Sequence, residues 1–418
     1  VEIRDQPYTL TSCDFVFTGQ QILKNTNIII DNGRIMEIGP EKEGDIFSCS
    51  GMIVIPGLIN AHTHSGMTYL RGYKDDLDLI PWLKEIWSIE SKALPHWIRL
   101  SSEASIIEML SNGITGFIDM YFNPKDVAEL SEIYGIKVSA GPTFLDSLKD
   151  PYEIDKEMRE VSTMASSTFS PIINVHSLYA VSEETLKLAR QLFEELGLGI
   201  HIHVSETREE LFQVKQRYGI FPVEVLKSKG LLGPRTIMAH LGWISSWEIE
   251  LVKSMEAHAV HCPTSNMKLA TGGFFPLKEM LARGINVALG TDGPATNNTL
   301  DIFREMKEAV LLERQGYWEA SVGAKDAIRM ATLGGRKAVR LEGGVIERGA
   351  PADLSLVDMS NLGPITESNL NSILTYVATG RDIDYTIIDG KLVYRRGLYD
   401  SRLKQIYAEL TTIQESLS

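Results

Sequence analysis

Through the middle of this chain, short apolar runs alternate with polar stretches of 3.6-residue period, a pattern that predicts strands separated by helices. The strand candidates are residues 58–62, 114–120, 138–144, 172–176, 199–204, 236–241, 259–262 and 287–291. Helical periodicity is clearest over 183–196 and 300–315. Eight strands joined by helical crossovers favour an α/β fold of the (β/α)8 TIM-barrel type. An open doubly wound sheet would bring a Gly-rich phosphate turn after an early strand, and none is present.

The two ends read differently. Apolar runs at 15–17, 28–30 and 35–38 are short, and Asp31-Asn32-Gly33-Arg34 between the last two is a hairpin turn, since Asn-Gly supplies the positive φ it needs. The pattern returns at 353–357 and 385–393. The expectation is a small β-sandwich assembled from both ends: its N-terminal part over 1–56, the barrel over 57–343, and its C-terminal part over 344–418 with a terminal helix at 401–416.

Composition narrows the function. The chain has 418 residues, 44% of them hydrophobic and 23% charged, as in ordinary globular enzymes. A net charge of -14 argues against nucleic acid or an anionic membrane as partner. Cys13, Cys49 and Cys262 have no paired spacing, which fits a reducing cytoplasm. The start carries no signal-like pattern, and no apolar run reaches membrane-spanning length. A cytoplasmic enzyme with a small-molecule substrate is expected, with homo-oligomerisation left open.

Chemistry gathers at the strand ends. In Pro56-Gly57-Leu58-Ile59-Asn60-Ala61-His62-Thr63-His64, the two histidines share one face of a strand. By itself this also suits a half-buried strand, but the later strands end in His176, His201 and His203, His240, His261 and Asp292. In a closed barrel, His62, His64, His203 and Asp292 can converge on one divalent ion and leave an open position for water, whose pKa such an ion lowers. Asp292 can also accept the water's proton. Glu206, just past strand 5, can shuttle a proton to the substrate, and His240 can orient the attacking oxygen. His201 lies one layer deeper and is expected to pack. His96 reads as surface and His258 as structural.

PGLINAHTH at 56–64, His203-Val204-Ser205-Glu206, Met238-Ala239-His240, His261-Cys262-Pro263-Thr264-Ser265-Asn266 and Leu289–Pro294 (LGTDGP) together resemble the amidohydrolase superfamily. Within it the chain looks most like the 5-methylthioadenosine/S-adenosylhomocysteine deaminases and the related triazine hydrolases. The resemblance implies one zinc, with iron as the alternative, on His62, His64, His203 and Asp292, with Glu206, His240 and Asp292 catalytic. Binuclear members carry a lysine at the end of strand 4, where this chain has His176.

Substrate contacts follow from the same resemblance. The stretch 81–90, with Trp82 and Glu90, matches a loop whose glutamate binds a ribose diol, and His176 and Glu206 match substrate-contacting positions. After strand 3 the homocysteine-binding members place arginines, whereas Gly141-Pro142-Thr143-Phe144-Leu145-Asp146 offers none, and only Lys149 lies nearby. The implied reaction is deamination of an adenine-type nucleoside: adenosine, 5'-deoxyadenosine, 5'-methylthioadenosine or S-adenosylhomocysteine. Hydrolysis of a triazine, guanine or cytosine type ring is the enzymatic alternative, and a catalytically inactive scaffold the alternative of another class.

Overall fold

The computed structural model describes residues 7–417. Eight parallel strands form a nearly closed barrel in chain order: Leu58–Thr63, Ile114–Met120, Lys137–Gly141, Phe169–Ser177, Gly199–Val204, Thr236–His240, His258–His261 and Val287–Leu289. Adjacent strands pair in parallel register from the first to the eighth, so every C-terminal end opens on the same face. The predicted third strand breaks after Gly141 and resumes as Thr143–Phe144 against strand 4, because Pro142 supplies no N–H to a ladder.

Side chains and loops close the seam between strands 8 and 1. The Asp292 N–H donates to the His62 carbonyl (3.0 Å). Thr63 Oγ1 donates to the Asp292 carbonyl (2.9 Å), and the Asn60 amide bonds both the N–H and hydroxyl of Thr291. Gly290 is required here, since a Cβ would lie 2.7 Å from that of His62. The eighth strand therefore ends at Leu289, earlier than its apolar pattern predicts.

The helices fall close to expectation, at Glu183–Glu195, Ile302–Tyr317 and, at the C-terminus, Asp400–Ser416. Strands from both chain ends hydrogen-bond as one mostly antiparallel eight-stranded sheet, with Met52–Pro56 between Tyr8–Phe17 and Leu354–Asp358. It has its own apolar core, and the Gly33 turn touches the Asp389-Gly390 turn from the far end of the chain. Buried Asp353 anchors the sheet to the barrel by accepting from Lys137 (2.9 Å) and Arg336 (2.6 Å). No helix among the described residues is long and apolar enough to cross a membrane.

Candidate active site

The strand ends deliver His64, His176, His203, His240 and Asp292 to one cavity at the C-terminal face of the barrel. On its floor the ligand atoms of His62, His203, His240 and Asp292 all lie within 4.8 Å of one another. His64 joins them, its Nε2 being 3.0 Å from Asp292 Oδ1 and 3.3 Å from His203 Nε2. The floor is thus a five-residue group that contains the predicted four ligands plus His240. His261 stays out and stacks on Phe275, with ring centroids 4.3 Å apart.

Backbone bends aim these groups inward. Ser205, His240 and Asp292, just at or past strands 5, 6 and 8, adopt φ of 52°, 78° and 62°. Left-handed conformations cost non-glycine residues of order 1–3 kcal/mol and persist only where surroundings hold them. Glu210 supplies that hold after strand 5, its carboxylate accepting from the N–H groups of Ser205 and Glu206, both at 2.8 Å.

Each floor imidazole is tethered from behind through Nδ1. His64 Nδ1 donates to the Met120 carbonyl (2.6 Å), His203 Nδ1 to the His176 carbonyl (2.7 Å), and His240 Nδ1 to Asn266 Oδ1 (2.8 Å). A neutral ring with its proton on Nδ1 turns a lone pair on Nε2 inward. His62 Nε2, 3.3 Å from Asp292 Oδ1, is buried without a hydrogen-bond partner among the described residues. Ser265 Oγ donates to Asp292 Oδ2 (2.6 Å), leaving Oδ1 toward the imidazoles. Converging lone pairs and a carboxylate oxygen repel one another unless a cation lies among them, so this donor set fits a divalent metal.

Electrostatics divide the floor: His64 takes a proton beside Asp292, in the place that a bound cation would take instead. Burial pushes His62 down to about 4 and His203 well below the usual range, keeping both neutral. Burial also opposes a charge on His64, but the Asp292 hydrogen bond and charge prevail and lift it to about 9. Burial would raise Asp292, yet the protonated His64 beside it holds it well below the ordinary carboxylate range. Burial raises Glu206, whose Oε1 lies 3.8 Å from His240 Nε2.

The other side of the cavity is a helix, Leu79–Glu90, in the segment that matches the loop after strand 1. Leu79, Trp82, Leu83 and Ile86, at i, i+3, i+4 and i+7, bury one face and line the cavity. Trp82 Nε1 is buried without a partner among the described residues. Glu90 is exposed only in part, beside the cavity, and accepts from Tyr121 OH (2.7 Å). Burial pushes its carboxyl up to about 7, against the opposing Tyr121 hydrogen bond. His176 sits between Trp87 and His203, and burial lowers it to about 3. Among the described residues, no lysine or arginine lines the cavity, and Lys149 is half-exposed and paired with Glu157 at 2.6 Å.

Three roles differ from the sequence reading or go beyond it. His201 does more than pack, since its Nε2 lies 2.8 Å from His62 Nδ1. Ser265 and Asn266, within a motif already singled out, are the anchors of Asp292 and His240. His96 is exposed at the start of Pro95–Ser111, and His258 bonds the Pro234 carbonyl, both as expected.

Known proteins resemble this chain over most of its length. Residues 53–393 match the amidohydrolase family. A 5'-deoxyadenosine deaminase of Methanothrix thermoacetophila is 36% identical over 92% of this chain and 93% of its own. A 5-methylthioadenosine/S-adenosylhomocysteine deaminase of Thermococcus sibiricus is 39% identical over 88% of this chain and 89% of its own. The crystal structure of an adenosine deaminase from Xanthomonas campestris with bound zinc superposes with a TM-score of 0.90 at 29% identity, over 97% of this chain and 98% of that one. With matches of this extent, the chain belongs to the amidohydrolase family.

Proposed function

We propose that this protein is a metal-dependent aminohydrolase that converts an adenine-type nucleoside to its inosine form with release of ammonia. The observation that carries the reading is the cavity: one wall of inward-facing imidazoles and a carboxylate, and another that is apolar except for Glu90 and the Trp82 N–H. The names of the relatives point the same way, each being a deaminase of an adenosine derivative.

His62, His64, His203 and Asp292 would hold a single ion, zinc before iron, with His240 facing it. When bound, the ion supplies Lewis acidity, lowering the pKa of a water for attack on the ring carbon that bears the amine. Glu206, whose carboxyl burial raises and whose Oε1 lies 3.8 Å from His240 Nε2, is placed to pass a proton to the adjacent ring nitrogen. Asp292, held by Ser265, accepts one proton from the attacking water and passes it to the amine, which leaves as ammonia as its C–N bond breaks, while the remaining hydroxyl proton returns to Glu206. His240, fixed through Asn266, points its Nε2 lone pair at the attacking oxygen, accepts a hydrogen bond from it and so orients it for attack. Trp82 and His176 border the substrate, and Glu90 takes the ribose diol.

Glu90 also argues for a nucleoside over a free base, because beyond the Tyr121 bond its carboxylate can accept further hydrogen bonds, which a ribose diol supplies and a free base does not. With no lysine or arginine among the described residues lining the cavity, a substrate carboxylate would lose hydration without gaining a partner there. Adenosine, 5'-deoxyadenosine and 5'-methylthioadenosine are therefore favoured over S-adenosylhomocysteine. Ammonia release by metal-loaded protein, measured with these four, adenine and a triazine, should give the highest kcat/KM to the three uncharged nucleosides. Preference for adenine or the triazine would overturn the reading.

A further inference from the structure

Beneath the cavity floor, a line of hydrogen bonds crosses the barrel and ends on His62. His62 Nδ1 lies 2.8 Å from His201 Nε2, and His201 Nδ1 lies 3.1 Å from Asn174 Oδ1. Asn174 Nδ2 in turn lies 2.9 Å from the carbonyl oxygens of both Asp119 and Gly141. The three side chains come from strands 1, 5 and 4, the two carbonyls from strands 2 and 3, so five strands take part. His62, His201 and Asn174 are all 0% exposed, which leaves water no part in choosing the protonated atoms.

The line has one direction. Carbonyl oxygens only accept, so the Asn174 amide must present its NH2 to Asp119 and Gly141, and its own oxygen is thereby turned to His201. His201 must then carry its proton on Nδ1, which leaves a lone pair on Nε2. That lone pair can only receive the Nδ1 proton of His62. His62 is left with a bare Nε2, the atom buried without a partner beside Asp292. Reversal would force the Asn174 oxygen against two carbonyl oxygens. His62 differs here from His64 and His203, whose Nδ1 tethers are backbone carbonyls. Its own tether is an imidazole, which could present either a lone pair or a proton, and Asn174 removes that ambiguity.

We infer that His201 and Asn174 are positioning residues that select the ligating tautomer of His62 and so set the affinity of the metal site, although neither would touch the ion or the substrate. The inference rests on the metal reading above. In the alternative, His201 is a buried ring that only fills space against His62, their centroids being 4.9 Å apart.

Zinc affinity, measured on metal-free protein by competition with a chromophoric chelator, separates the two when paired with the Tm of the same metal-free protein. His201→Phe keeps a ring of similar size but removes the acceptor, and should weaken zinc binding by on the order of 10- to 100-fold. His201→Gln, whose amide offers an oxygen to His62 and an N–H to Asn174, should restore most of that loss. Asn174→Leu leaves His201 in place but frees its tautomer, and should weaken zinc by about 10-fold; it carries the test if His201→Phe does not fold. The visible spectrum of the cobalt-substituted protein should shift in the Phe and Leu variants and stay close to wild type in Gln. Wild-type zinc affinity in His201→Phe or Asn174→Leu, with only Tm lowered, would overturn the inference, as would a Gln variant no better than Phe. A wild-type protein that binds no zinc would instead overturn the metal reading itself.

Discussion

On the barrel side of the cavity, the inward-facing imidazoles are anchored by a second hydrogen bond behind them, to Met120, His176, Asn266 or His201. On the helix side, one carboxylate, Glu90, rests on one tyrosine in a wall otherwise made of Leu79, Trp82, Leu83 and Ile86. The difference follows from what each wall must do. A metal needs lone pairs fixed in direction, and rigid strands with outward tethers provide them. A substrate gains most of its binding from apolar contact and needs few polar groups to set its orientation. Damage to the barrel wall should therefore abolish chemistry, and damage to the helix wall should change preference.

The largest effect is expected at the floor. His203→Ala should remove both the metal and measurable deamination while the far-ultraviolet circular dichroism stays unchanged, because the barrel core is built from other side chains. A His203→Ala protein with full metal content would take this residue out of the ligand set. Glu206→Gln keeps size and metal but cannot carry the proton, so kcat should fall on the order of 10²-fold or more. Near-normal turnover with this variant would place the proton transfer elsewhere.

At the helix wall the loss should be smaller and of another kind. Glu90→Ala should keep its metal and lose about 10- to 100-fold in kcat/KM toward nucleosides, the equivalent of about 1–3 kcal/mol. Its activity on adenine should change much less. Equal losses on adenine and on nucleosides would erase the contrast between the walls.

The smallest effect concerns the brace behind Glu206. Burial raises Glu210 to about 8 from an ordinary 4.5, so between these values the folded state holds a proton that the unfolded state has released. Its contribution to stability is complete below about 4.5 and is lost as pH rises through about 8. Glu210→Gln lacks this titration and can accept only one of the two backbone N–H groups. The Tm difference between wild type and variant should therefore shrink by on the order of a few °C as pH rises across that window. A difference independent of pH would contradict the assignment.

The barrel wall was the more legible of the two in the sequence. Strand ends are marked by periodicity, and paired spacing such as His62-Thr63-His64 places side chains on one face regardless of what surrounds them. The bond from His62 to His201 was not legible, because it spans the barrel and depends on how strands 1 and 5 face each other. Glu210 was hidden differently. Thr207-Arg208-Glu209-Glu210 has the spacing of a helix capping box, and Thr207 does accept from the Glu210 N–H at 3.1 Å. The Glu210 carboxylate, however, reaches past the cap to Ser205 and Glu206, to serve a left-handed turn that sequence does not mark. The helix at 79–90 did carry a signal in its apolar spacing, but the placement of Glu90 against Tyr121 depended on tertiary packing.

Titrating metal-free protein with zinc, while following ammonia release from 5'-deoxyadenosine, tests this division between the walls most directly when wild type and Glu90→Ala are run side by side. Both should be inactive without metal and reach their plateaus at one equivalent per chain, the variant differing in KM and not in stoichiometry. Deamination by the metal-free protein, a plateau at two equivalents, or loss of zinc binding in Glu90→Ala would contradict it.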